Sequence, residues 1–559
     1  MDKLIVLLPA IPLFSAVLIT LFSGRSQRGL ARLSVAFTVL TFGLAAVSLG
    51  LYLSARDSHW LLFGPGWGSL FFDPLSSIMS LVVAGISMVV HVYSVRYMAE
   101  ERGYVRFFVL LDLMTAIILL MVAAGDLITL LIAWHLVGVL LYFLLGHDLQ
   151  RSTAQRYAFW TFFTYRLGDL PLVLAAALLY QAFGTLSLPA LFEQIAAAPD
   201  TQTMFGLPLS STVALLVALA AFARSAQFPL HTWLPYTMEG PTPVSALMHA
   251  GIVNAGGFII TRFAPVFVHA GEVLHLVFAV GLITAILGSV LMLTQNDIKK
   301  SLGYSTMGQM GFMFVEIGVG AFSLAIYHLI AHGLFKGTLF LGAGGVIGDA
   351  RRHDGVPQDE VYTFVVERKP VASRLPWVTA AVITVVVPFV ILGLSHWLVG
   401  GDFVGQQGGI IMLFFGWVTG AQLLFATYRL HAESPWRLMG MIIMSLVIVV
   451  LGYTLVEHAF SEFLFPDHHL SERLYAAASI PWATFDILIV VLTAGIVLGW
   501  LAAYYTAAKG RTSDGKASGL RLAFYSLISR EFYVADVYTW LTQTVLSLSR
   551  RLNGLLRWV

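Results

Sequence analysis

Residues 225–251 read SAQFPLHTWLPYTMEGPTPVSALMHAG, with prolines at 229, 235, 241 and 243 in an otherwise largely apolar run. A proline inside a helix removes a backbone hydrogen bond and clashes with the turn before it, so this stretch is expected to interrupt a helix. A plain surface loop would also interrupt one, but it does not account for the apolar composition. Irregular backbone at membrane depth is tolerated only where protein covers it or where it lines a cavity. Broken helices beside buried charge are a recurring device in ion transporters.

The rest of the chain puts that break in a membrane. Of 559 residues, 58% are hydrophobic and only 11% charged, with a net charge of +2. A soluble protein of this length needs far more charge on its surface, and the small net charge gives no reason to expect nucleic-acid binding. A bilayer core takes about 20 apolar residues per helix. Such segments recur from end to end, starting near residues 3, 32, 74, 105, 126, 157, 211, 243, 273, 300, 322, 376, 408, 437 and 482, about 15 spans in all. The first segment has no clear cleavage site and reads as a retained helix. There is no cysteine, which excludes disulfides, thiol catalysis and Cys-liganded metal or iron–sulfur sites within the chain.

Loop charges alternate in step with this count. Arg25, Arg28 and Arg32 follow the first span, Arg96, Arg102 and Arg106 the third, Arg151 and Arg156 the fifth, Lys299 and Lys300 the ninth, and Arg351, Arg352, Arg368, Lys369 and Arg374 the eleventh. The stretch FGTLSLPALFEQIAAAPDTQTMFGLPLSS (183–211) has no cation. The positive-inside rule then predicts an external N-terminus and a cytoplasmic C-terminus. After the last span a polar linker, AAKGRTSDGKASG, leads into a tail of apolar residues at helical spacing with cations between them. The tail is expected to lie on the cytoplasmic membrane surface or along a partner. A sixteenth span is the weaker reading, because Arg530, Glu531 and Asp536 interrupt it.

Ionisable residues within spans are costly and usually functional. They are His135, Arg166 and Asp169 in TYRLGDL, Arg224, His231, His249, Lys300, Glu316, His328, His332, Lys336 and His396. In IYHLIAHGLFKGTLFL (326–341) the residues His328, His332 and Lys336 are four apart. On a helix they form one polar stripe about 12 Å long, a track for proton exchange when waters bridge it. A lone intramembrane histidine, such as His249, is as readily a helix–helix hydrogen bonder. His231 and Lys300 fit an interfacial position, and Glu316 fits a cap or the outer surface. A purely structural role does not explain so many costly groups in successive helices.

The stretches AFARSAQFPLHTWLPYTMEGPTPVSALMHAG, QNDIKKSLGYSTMGQMGFMF and IYHLIAHGLFKGTLFL resemble the proton-conducting membrane transporter family. That family includes the large antiporter-like subunit of respiratory complex I, the Mrp-type cation/proton antiporter subunits and the membrane subunit of DAB-type inorganic carbon transporters. The resemblance covers roughly residues 60–430, and EFYVADVYTWL in the tail is similar to the complex I subunit. It implies an all-α polytopic fold with two inverted five-helix repeats, 105–265 and 273–430, each containing a broken helix. Residues 1–104 are then N-terminal helices, 431–507 further spans, and 519–559 the cytoplasmic amphipathic tail.

The complex I pattern has a glutamate where this chain has His135, between Trp134 and Gly138, and a lysine where it has Arg224. Lys336, His328 and His332 match the family residues, and Ser395 and His396 align with a family Ser–Lys pair. The resemblance therefore implies an ion pathway of Lys336, His332, His328, Lys300 and His396, and a coupling set of Arg224, His135, Asp169 and His249. With histidine and arginine at the matched positions, the opposite-charge pair of complex I is absent. Arginine also does not release its proton, so conduction is expected in the half containing Lys336. SALMHAGIVNAGGFIITR is most similar to the DAB membrane subunit. This implies a two-subunit complex in a bacterial inner membrane. Here the chain conducts protons or sodium, and a DabA-like cytoplasmic subunit resembling a β-carbonic anhydrase holds zinc and hydrates CO₂. No cofactor is expected in this chain, and membrane lipid is its other partner. The rival readings are a respiratory or Mrp-type subunit and a non-conducting membrane anchor. No nucleotide loop, nucleophile motif or metal-site signature points to an enzyme acting alone.

Overall fold

The computed structural model describes residues 2–352 apart from 25, 56–57, 62–67 and 296, residues 459–509 apart from 467, residues 519–556, and isolated positions between 382 and 447. The chain forms two compact units. The first holds Met1–Gly318, Ala325–Val346 and Gly519–Val559, and the second holds Val319–Leu324 and Ile347–Ser518.

The helices of the front half are α1 (Asp2–Leu21), α2 (Gln27–Ala55), α3 (Pro74–Tyr97), α4 (Tyr104–Val122), α5 (Leu127–Leu145), α6 (Ser152–Phe183), α7 (Leu188–Ala197) and α8 (Leu209–Arg224). A ribbon of two three-residue strands, β1 (His59–Leu61) and β2 (Leu70–Phe72), pairs Trp60 with Phe71 between α2 and α3. Then come the short α9 (Trp233–Tyr236), α10 (Thr242–Ala250), α11 (Ala255–Arg262) and α12 (Ala264–Phe267), followed by the long α13 (Gly271–Leu293), α14 (Ile298–Gly318) and α15 (Phe322–Arg352). In the second unit lie α16 (His468–Ala478) and α17 (Trp482–Lys509), and the tail forms α18 (Gly519–Ser529) and α19 (Val534–Leu556).

Among the described residues ten helical stretches are long and apolar enough to cross a membrane, α10 and α11 counting as one. They include every long helix from α1 to α15 except α14, which carries Lys299, Lys300 and Glu316, and the sixteen-residue α8. The predicted spans near 376, 408 and 437 lie outside the described residues, as does His396.

Capping residues set the starts of these helices. Asp73 accepts from Ser76 N at 2.8 Å with Pro74 next to it, and Asp126 accepts from Thr129 N at 2.8 Å. Each satisfies a backbone donor that a helix start leaves free.

The predicted break is real and it begins at Arg224. Sixteen residues at about 1.5 Å each are short for a ~30 Å hydrocarbon core. The chain then runs irregularly through 225–232, where all but Phe228, Pro229 and Leu230 are buried. Several of its backbone N–H groups find partners, although Gln227 Oε1, both His231 ring nitrogens and Thr232 Oγ1 have none among the described residues. Ser225 N reaches Ala221 O (2.9 Å), Gln227 N reaches Phe222 O (2.9 Å), Trp233 Nε1 reaches Ala223 O (3.1 Å), and Phe228 N reaches Thr284 Oγ1 (3.0 Å) on α13. That is how a break within the protein interior avoids the cost of unpaired backbone. A second interruption separates α10 from α11, where Asn254 Nδ2 caps Ala250 O at 2.9 Å.

The tail is where expectation and structure part. The sequence gives Glu531 only as one of the charges that count against a further span, yet it is 2% exposed. Glu531, Phe532 and Tyr533 adopt φ of 57°, 55° and 60° in succession. Left-handed backbone costs a non-glycine residue on the order of 1–3 kcal/mol and persists only where surrounding contacts impose it. The imposing contacts are with the first unit: Phe532, Val537 and Tyr538 line an apolar cavity with Trp160, Phe163, Pro229 and Leu230.

Candidate ion-translocation site

Two clusters of ionisable groups lie in the first unit. The first joins α5, α6 and α8. Arg224, the last residue of α8, is 1% exposed. A helix C-terminus favours a cation, and the guanidinium lies 4.5 Å above the Trp134 ring and 4.1 Å from the Tyr165 ring, both favourable cation–π placements. Its Nη2 donates to the Trp134 carbonyl and lies 3.5 Å from Asp169 Oδ1. Asp169 Oδ2 is 3.0 Å from His135 Nδ1 and 2.9 Å from Arg166 Nη2. Arg166 also contacts the His135 ring, with Nη1 3.0 Å from Nε2. A side chain at Gly138 would press on Arg166 Nη2 at 2.6 Å, so the glycine keeps room for that guanidinium.

This corrects the expectation that the opposite-charge pair is gone. The acid is present, but it stands on α6 rather than α5. Asp169 faces Arg224, with Arg166 and His135 as its other two partners. His135, Arg224 and Asp169 are brought together as predicted. His249 is not in direct contact with them: its ring stacks on Phe340 of α15 at 4.2 Å.

The second cluster pairs α14 with α15. Lys336, 1% exposed, donates from Nζ to Ser305 Oγ at 2.8 Å and approaches Leu302 O at 3.4 Å. His328 Nδ1 meets the Glu316 carboxylate at 3.0 and 3.1 Å, and its Nε2 is 2.9 Å from Gln309 Oε1. Glu316 is therefore neither a cap nor on the outer surface, since it is 4% exposed and holds His328. His332 lies between, its ring 6.3 Å from that of His328. Neither ring nitrogen of His332 or of His249 has a hydrogen-bond partner among the described residues. Buried polar atoms are normally satisfied, so these four nitrogens mark places for bridging water. The broken span lies against this track, with Asn254 Nδ2 3.4 Å from Leu329 O as well as His249 on Phe340.

Lys300, at the start of α14, pairs with Glu531 of the tail at 2.6 Å and lies 4.4 Å from the Tyr236 ring centre. His231 is 1% exposed and stacked on Phe228.

Sequence reasoning missed Ser305, Gln309, Tyr236 and the role of Glu531. It also missed a wholly buried pair in the N-terminal helices, where Asp112 accepts from Ser15 (2.7 Å) and Ser34 (2.9 Å) and meets His91 Nε2 at 3.2 Å. Asp112 and His91 could have been found as ionisable residues within predicted spans. The hydroxyls carry no such signal, because serine is common in membrane helices. Among the described residues no group of three His, Cys, Asp or Glu side chains is placed to hold a metal ion.

A family profile described as "NADH:quinone oxidoreductase/Mrp antiporter, TM" matches residues 124–420, and one for the complex I chain 5 N-terminus matches residues 68–108. The chain is 60% identical to "Probable inorganic carbon transporter subunit DabB1" of Halothiobacillus neapolitanus over 99% of each chain. It is 33% identical to NAD(P)H-quinone oxidoreductase chain 5 of a Picosynechococcus strain, over 76% of this chain and 66% of that one. In fold it is similar to a chain of the Mrp complex from a Dietzia species, with a TM-score of 0.61 at 24% identity, covering 99% of this chain and 63% of that one. The protein is a polytopic helical membrane subunit of the antiporter-like, ion-translocating kind, and the chain belongs to the NADH:quinone oxidoreductase/Mrp antiporter transmembrane family.

Proposed function

We propose that this chain is the ion-conducting, energy-coupling subunit of a two-subunit complex that accumulates inorganic carbon, seated in a bacterial inner membrane with its tail in the cytoplasm. The observation that carries the reading is the α14–α15 ladder: three exchangeable groups on one helix face, Lys336 held by Ser305 and His328 by Gln309 and Glu316, with His332 between them. The inorganic carbon assignment draws on the full-length likeness to the DabB1 protein. Ions, protons in the first instance, enter beside Lys300, pass Lys336 and His332, and reach His328. Where that route continues, His396 is the expected next group.

Arg224 does not give up its proton, so the first cluster works as a switch rather than a relay. His135 and Arg224 share the Asp169 carboxylate, so a stronger hold by His135 loosens Arg224, which sits at the start of the break. The break joins the second interruption, where Ser225 Oγ donates to Val253 O at 2.6 Å, and that interruption lies against α15 through His249 and Asn254. This gives ion occupancy a mechanical path to the helix that carries the track.

The partner is a cytoplasmic zinc protein resembling a β-carbonic anhydrase. It converts CO₂ and water to bicarbonate and a proton, and ion flow through this chain makes that hydration effectively one-way. The test is purification of the tagged protein from detergent-solubilised membranes, with metal analysis of what accompanies it. One large soluble subunit with stoichiometric zinc is the expected result. A set of hydrophobic subunits, or flavin and iron–sulfur proteins, would overturn the carbon reading in favour of a respiratory or Mrp-type complex.

A further inference from the structure

We propose that Glu531 of the tail is itself a member of the ion path: with Lys300 it forms the exchanging pair at the end of the track next to Lys336, an inference that rests on the pathway reading above. Four observations converge on it. Glu531 Oε1 lies 2.6 Å from Lys300 Nζ and accepts from Tyr236 Oη at 3.2 Å, across nearly three hundred residues of chain. The carboxylate is 2% exposed, so it does not act as a solvated surface charge. The buried hydroxyl of Tyr304 on α14 faces the same carboxylate, a second phenol beside that of Tyr236.

The fourth observation is position. Lys336 reaches α14 at Leu302 and Ser305, two and five residues beyond Lys300. At about 1.5 Å per residue this is within two turns of the same helix. Lys300, Tyr304 and the Lys336 acceptors thus share the first turns of α14. The three-residue left-handed turn at 531–533 is the device that turns the Glu531 carboxylate inward, while Phe532 is held in the apolar cavity against Pro229 and Leu230. The tail thereby sets a buried carboxylate on the Lys300 ammonium, whose backbone N–H is already capped by Asp297 at 2.8 Å. Anything that lifts the tail removes this carboxylate from the path.

The experiment measures proton and sodium flux in membrane vesicles containing the full chain with its native partners, per molecule of folded protein. E531Q keeps shape and loses charge; it should reduce flux about tenfold per folded molecule, beyond any loss of thermal stability. K300M should do the same, and the E531Q/K300M double variant should be no slower than the slower single. Independent, multiplying losses would overturn the pair. So would reduced yield or stability with unchanged flux per folded molecule, which marks a mere clasp. If E531Q does not assemble, the cysteine-free chain allows K300C/E531C to be bridged by a short bifunctional thiol reagent with a cleavable disulfide spacer. Flux blocked on bridging and restored by reductant supports the assignment, and flux indifferent to the bridge overturns it. K336M separates the two levels: if it stops flux while E531Q does not, this inference fails alone, and if neither matters the pathway reading fails as well.

Discussion

The buried guanidinium of Arg224 shows what one residue demands of its surroundings. A full charge at 1% exposure is viable only when paired, and removing one partner of a buried pair costs about 3–5 kcal/mol because the other charge is stranded. D169N should therefore lower the midpoint of thermal unfolding in detergent by several degrees, and R224M/D169L should lose less than D169N alone. Equal losses would show that Asp169 does not balance Arg224. The sequence made both residues conspicuous but not their pairing. Matching by position put the acid at residue 135, and only the packing of α5, α6 and α8 shows that a carboxylate on α6 reaches the same guanidinium.

His147, in the loop after α5, is a second residue-scale case. Burial, and then the nearby Arg106, lower its pKa from 6.5, so the folded protein prefers it neutral. The unfolded chain binds the proton more readily, and stability falls as pH drops below about 6.5. H147N should flatten the stability profile between pH 7 and pH 5; an unchanged slope would remove His147 as its source.

At the scale of elements, α13 and α14 pack through glycines. A Cβ on Gly281 would meet Gly311 O and Phe314 Cβ at 2.8 Å, both fixed parts of α14. Small residues permit such close approach in membranes, where packing rather than hydrophobicity drives association. G281V should cost at least about 1–3 kcal/mol by overpacking. It should also disturb α14, seen as lower flux along with lower stability. G50V on α2, where nothing lies within 4 Å, is the control. The stripe on α15 was legible because spacing alone puts His328, His332 and Lys336 on one face. Its acceptors were not, since Ser305, Gln309 and Glu316 become partners only through the pairing of two helices. The tail misled for the opposite reason: Arg530, Glu531 and Asp536 argue against a further span, but polarity cannot tell a charge facing water from one turned onto Lys300.

For the whole molecule, hydropathy and proline placement were enough to read a polytopic helical fold with a broken span after Arg224, because the bilayer sets element length so strictly. Function is less legible at this scale, since it depends on which charges meet across helices far apart in sequence. The proposed pathway needs two buried clusters joined by a break, with a tail carboxylate at one end. The most direct measurement compares the wild-type complex with K336M in cells that depend on accumulated inorganic carbon, following both ion flux and bicarbonate accumulation under an imposed gradient. Loss of both, in a complex that still assembles with its partner, is the predicted result. Flux and accumulation that both survive the loss of the Lys336 charge would contradict a pathway along α15.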